Sequence, residues 1–488
     1  MPSPQLPFDD DGLDPDPGET TLADAMDRRS PGPAERPSRP GRGGPNYWIR
    51  RVVVVGGIVA VFATAALVIN AVIDSTSPAP NVGSVSADWN RIVSIDTRGG
   101  RIVVQDDTGT EVARIDTGRR GVIDSRVVAR TAVVAGSDAV SVVDLSAEES
   151  ADVELAGGTI TQPAGSALTM IVGAPDGDRG VIVHGPTGDV IDTDAFAPIA
   201  GTRFEWAATK TDPTGRHVLV TDSGNFQTVL FSFDRDEPSY VPGRALAIDD
   251  RIAVTTQNVG NEATISVFDH EGTLLSSGAA ASVRAAIIDD DSIRLVTVDA
   301  EIVTMSVSSG QTELNAGVDI GAVVSGQVTA GGDRLVVTGD GGSALVGPDG
   351  ELVGIFGGLV PLPQPWATHG STCLALTEAT TGGARALSIV DLATGTIVAE
   401  AELDTDVDEP LFTTADGCTI AVADPEGYQL VTADDVRRVP VDGELLGLAP
   451  DGSVVALELD RRLVLSSSDD SEPVDLGPAG RTMWFTDA

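Results

Sequence analysis

The sequence predicts an all-β protein, a large β-propeller of four-stranded blades preceded by one transmembrane helix. Three observations predict it. A β-branched run followed by a polar turn recurs along residues 84–488 at intervals of 35 to 48 residues. No long stretch with the 3.6-residue apolar period of a helix interrupts that region. Ahead of it, residues 52–73 form one apolar segment without a charge.

The first 46 residues hold ten prolines and few large apolar groups. They cannot bury enough surface to fold alone and are expected to be a disordered tail. Arg28, Arg29, Arg36, Arg39, Arg42, Arg50 and Arg51 lead from it into the apolar segment VVVVGGIVAVFATAALVINAVI. As a helix its 22 residues reach about 33 Å, enough to span a bilayer. It is longer than a signal-peptide core and no small-x-small cleavage site follows, so a retained anchor is expected. Arginines flank its N-terminal side and Asp74 opens the other. This bias puts the tail in the cytoplasm and everything after residue 74 outside, with Tyr47 and Trp48 at the interface. The expected organisation is a tail (1–46), a membrane helix (47–73), a linker (74–83) and an extracytoplasmic propeller (84–488).

The runs begin at residues 91, 131, 168, 216, 251, 292, 334, 372, 418 and 453. Their period fits one four-stranded blade, and in residues 126–155 all four strands are legible. Ten units are counted, with seven or eight blades possible if some units are merged, since common propellers have four to eight. The closing strand is expected at RTMWFTDA, pairing with the first blade, where Trp89 and Trp484 are expected to meet.

Acids number 73 against 31 basic residues, a net charge of −42, and Lys210 is the single lysine. Residues 74–488 carry 64 acids and 24 arginines and lysines. A surface that acidic repels nucleic acid and anionic lipid heads, which excludes them as partners of this region. The Arg-over-Lys, Ala/Gly/Val-rich usage resembles that of high-GC bacteria, with acid-rich halophiles as a rival source.

Residues 388–403, SIVDLATGTIVAEAEL, carry Asp391, Thr394 and Gly395 in a tight turn, with Ile389 and Ala399 on the strands beside it. This segment resembles the repeat of quinoprotein-like β-propellers, a broad group of YVTN- and WD-repeat-type architectures. The resemblance covers residues 84–488 as a repeat style. In that family a tryptophan docks each blade on the next; Ala399 stands at its position, and the related turns at 105–113, 185–192, 269–276 and 348–355 lack it too. No constellation for the quinone is found, so no pyrroloquinoline quinone is expected to bind.

No other reaction chemistry is legible. His184, His217, His270 and His369 are isolated in sequence, and neither a Gly-x-Ser-x-Gly elbow nor a phosphate-binding glycine loop is present. Trp206 and Trp366 precede repeat runs and read as packed aromatics. Asp404, Asp406 and Asp408 alternate as in the opening of a calcium loop, though Glu409 stands where such loops place glycine. They are the candidate metal ligands, with calcium as the ion. Cys373 and Cys418 occupy matching places in neighbouring units, and oxidation outside the membrane makes them a candidate disulfide.

The leading expectation is a membrane-anchored binding or scaffold module for cell-envelope proteins or wall polymers, not an enzyme. The alternatives are a quinoprotein-like or hydrolytic enzyme, which needs paired acids and a base in the ring's channel, and a sensor that passes extracellular binding to the tail.

Overall fold

In the computed structural model, each of the ten β-branched runs becomes the second strand, counted outward from the centre, of a four-stranded antiparallel sheet. The structure describes residues 89–486 apart from 197–200, 260–261, 330–333, 363–370, 379–385, 404–410, 425–426, 434, 442, 468–472 and 479–480. The candidate membrane segment 52–73 lies outside these residues. Among the described residues no helix is long and apolar enough to cross a membrane.

Ten sheets make ten blades. Blade 1 joins residues 91–116 to the C-terminal strand Arg481–Thr486, and blades 2 to 10 occupy 124–153, 159–192, 210–242, 244–281, 283–317, 323–357, 359–402, 411–440 and 444–478. Closure follows the sequence expectation. Arg481–Thr486 pairs antiparallel with Arg91–Asp96, placing Trp484 opposite Val93. The aromatic contact at the closure differs from the expected one. Trp89 meets Phe485 edge-on, with centroids 4.9 Å apart, while Trp484 packs on the blade 2 side with Val93 and Ile95. Successive side chains of a strand point to opposite faces, so neighbours on one strand serve different partners.

That alternation also explains the repeat signal. In the second strand of blade 2, Ala132 and Val134 face blade 1 while Val133 and Ala135 face blade 3. Both faces are buried, so the strand reads as a continuous β-branched run without polar alternation. Ten apolar clusters occupy the ten gaps between consecutive blades, including the gap from blade 10 back to blade 1. Each fully buried valine, leucine or isoleucine contributes about 1.5–3 kcal/mol. The outermost strands face water, and Thr312–Gly317 is exposed throughout.

The Asp…Thr-Gly turns bring glycine backbone against the preceding blade. Asp391 Oδ1 accepts hydrogen bonds from the Thr394 amide and hydroxyl, both at 2.7 Å. This sets Gly395 at φ 65°. Gly395 then lies against the Val353 backbone in the outermost strand of blade 7, and Gly310 of blade 6 lies the same way against Ser277 of blade 5. At these two boundaries the blades meet through backbone at glycine, where a side chain does not fit.

Side chains complete the blade-to-blade ties. Thr131 donates to the Gly185 carbonyl (2.5 Å), Thr169 to Gly215 (2.7 Å), and Thr486 to Ala129 (2.6 Å). Between blades 8 and 9 the structure joins Cys373 to Cys418, with Cα atoms 5.0 Å apart, inside the roughly 7 Å limit for a bridge.

Candidate functional site

The innermost strands leave a chain of cavities inside the ring, and Val328 lines three of them. One of them, about 620 Å³, sets Thr161, Gln162 and Ser166 of blade 3 opposite Gln327 of blade 7 and Leu362 of blade 8. Its described lining carries no charge. Another, about 340 Å³, is lined by Lys210, Arg244 and Arg284 together with Thr256, Asn258 and Ser325. Both volumes fall in the range of about 300–1,000 Å³ usual for small-ligand sites. Neither presents a pair of carboxylates among its described lining residues.

The strand geometry places the cationic cavity at one mouth of the ring. Arg244 opens the innermost strand of blade 5 opposite Thr256, and Arg284 stands one residue into the innermost strand of blade 6. These are the strand ends nearest the hairpin tips of their blades. Arg244 pairs with Glu205 at 2.5 Å. Lys210 sits on the two-residue innermost strand of blade 4, bridged to Ala164 of blade 3. Burial pushes its amine below the ordinary lysine range, and no described residue hydrogen-bonds or ion-pairs with that amine. Sequence reading noted Lys210 only as the single lysine and did not single out the arginines. One signal was available: Arg244 and Arg284 head matching segments, RALAIDD and RAAIIDD, one repeat apart.

On the same face, the hairpins joining the second and third strands of blades 4 and 5 carry two exposed apolar side chains. Phe226 is 86% exposed and Val259 80%. Phe226 has φ 53°, a left-handed conformation costly for an aromatic residue. Asp222 holds it there. Its carboxylate accepts from the Arg203 amide (2.8 Å), the Gly224 amide (3.1 Å) and the Asn225 side chain (2.8 Å). Burial alone would raise the Asp222 carboxyl, but hydrogen bonds from the Arg203 amide and from Asn225 and Gln227 outweigh it and hold it below the usual range.

Three histidines that look isolated in sequence converge between blades 3, 4 and 5. The His217 and His270 rings are 4.0 Å apart, and His184 packs on Phe233 at 5.5 Å. Burial, then the neighbouring His270 ring, lower the His217 pKa; burial lowers that of His184. Asp234, bound to Arg216 at 2.5 Å, lies 4.0 Å from His217. Among the described residues no three His, Cys, Asp or Glu side chains are grouped to hold a metal ion. His369, Trp366 and the candidate calcium ligands Asp404, Asp406 and Asp408 lie outside the described residues. Trp206 is buried against Phe204 at 4.8 Å and covers Gly173 and Gly180. It packs blade 3 on blade 4.

No protein-family model matches the chain, and no curated protein matches it. Among solved structures it is similar to BamB from Moraxella catarrhalis, at 15% identity over 71% of this chain and 93% of that one, with a TM-score of 0.32. It is similar to apo AztD from Citrobacter koseri at 10% identity over 81% and 98%, with a TM-score of 0.36. A eukaryotic initiation factor gives 8% identity over 82% and 98%, with a TM-score of 0.44. Each likeness is one of fold alone.

Proposed function

We propose that the chain is a single-pass, membrane-anchored binding platform, held at the outer membrane surface by residues 52–73, on which envelope proteins or wall polymers dock. Phe226 carries this reading. An aromatic side chain held in water, in a strained backbone conformation, by an aspartate that organises the whole turn lowers stability without serving the core. Such a feature is expected of a contact residue. Val259 on the next blade extends the apolar contact along the same face. The linker of about ten residues reaches at most roughly 35 Å, so partners must be membrane-proximal. The acidic surface favours neutral or basic partners and predicts association that weakens as salt rises.

The test is photo-crosslinking in intact cells from a probe placed at Asn225, beside Phe226. Reproducible capture of an envelope component, lost in the Phe226→Asn chain, supports the platform. Capture that is absent, or unchanged by the substitution, rejects it. Protease added to intact cells should remove the propeller and leave the tail with its anchor; full protection reverses the topology.

A further inference from the structure

We propose that the cationic cavity at the ring's mouth binds a small soluble oxyanion, a molecule bearing a phosphate or carboxylate group, between Lys210 and Arg284. The argument starts from charge. Residues 74–488 carry 64 acids against 24 basic residues, so a basic side chain placed at random on this surface finds a carboxylate nearby. Within this cavity of about 340 Å³ the opposite holds: three cations and no carboxylate among the described lining residues. Glu205 answers Arg244. Lys210 and Arg284 have no acidic partner among the described residues.

Like charges lining one cavity repel each other, and Lys210, half-buried beside the exposed Arg284, has no counter-charge among the described residues to offset the cost of its partial desolvation. Lys210 shows that cost, since burial alone depresses its amine. A fold that keeps such an arrangement gains if an anion completes it. The remaining lining fits an oxyanion: Asn258, Thr256 and Ser325 supply neutral hydrogen-bond donors, and Arg284 supplies a planar fork suited to two oxygens. The ligand class is bounded from both sides. The acidic exterior repels nucleic acid and anionic membranes, whereas a small free anion reaches the cavity and is attracted once inside. Phosphate and carboxylate ligands share this chemistry, and the two probes below separate them.

Lys210 being the single lysine makes the test specific. The full-length chain is acetylated with limiting reagent, and labelling of the Lys210 peptide is followed by mass spectrometry. Inorganic phosphate and citrate are added in turn, against chloride at matched ionic strength to remove simple screening. An occupied site protonates and covers the amine, so at least one anion should slow labelling several-fold. In the Arg284→Gln chain that protection should fall sharply while the thermal midpoint is unchanged. Protection by phosphate alone assigns a phosphate ligand, and by citrate alone a carboxylate ligand. A lysine that resists acetylation under all conditions, labelling that ignores both anions, or protection that survives Arg284→Gln overturns the proposal.

Discussion

Gly395 of blade 8 lies so close to the carbonyl oxygen of Val353 in blade 7 that a Cβ added to it would overlap that oxygen. The same glycine has φ 65°, so alanine there meets both a backbone penalty and a clash. Gly395→Ala is expected to cost about 2–4 kcal/mol. Gly317→Ala, at a glycine with open space around it, should stay within about 0.5 kcal/mol of the parent. Thermal midpoints of the two variants check the comparison. Equal midpoints would mean that blades do not dock through this turn.

Phe226 invites the opposite experiment. Asparagine tolerates the left-handed conformation that phenylalanine does not, so Phe226→Asn should raise stability by up to about 1 kcal/mol. A midpoint that falls instead would show that the ring contributes packing to the folded chain, and would remove the case for it as a contact residue.

Acid should loosen the seam between blades 4 and 5. This gap has a small apolar cluster, Leu219, Leu230, Ile248 and Ala253, and the His217–His270 pair sits in it. In the folded chain His217 and His184 titrate below the ordinary histidine value. The unfolded chain therefore takes up protons first as pH falls below about 6.5. The stability from neutral histidines is complete above that pH and is lost as pH falls toward the folded-state values. The carboxylate contribution, such as that of Asp234 held low by Arg216, disappears only further down, below about 4. Thermal midpoints between about pH 7.5 and 5 should fall, with a shallower slope in His217→Asn. An unchanged slope would show that the pair does not govern the seam.

The Cys373–Cys418 bridge closes a loop with a sequence separation of 45 residues. Intact mass without reductant should show two hydrogens missing. Reduction should cost up to about 4 kcal/mol in the chain-entropy picture. Two free thiols in the untreated protein would reject the bridge.

Much of this architecture can be read from the sequence because the second strand of each blade is buried on both faces. Runs such as TAVVAG and RHVLVTD stand out for that reason, and counting them counts the blades. The innermost strands are harder to see. Lys210–Thr211 is two residues long, too short to show any period. The cationic mouth is hidden for another reason. Arg284 is one repeat beyond Arg244, and only the curvature of the ring brings both to Lys210. The histidines follow the same logic, since His217 and His270 are far apart in sequence and stack across a blade boundary. Which aromatic Trp89 meets is not legible in sequence, because neighbouring residues of the closing strand face opposite gaps.

The way the ring closes also decides how it carries load. Strand Arg91–Asp96 is hydrogen-bonded along both edges, to Arg101–Asp106 and to Arg481–Thr486. Chain arriving at residue 89 thus enters the fold at a strand clamped from two sides, not at a free edge. Tension delivered there must shear two ladders together; it cannot peel a single one open bond by bond. Strand Arg481–Thr486 therefore acts as a mechanical latch on the first blade.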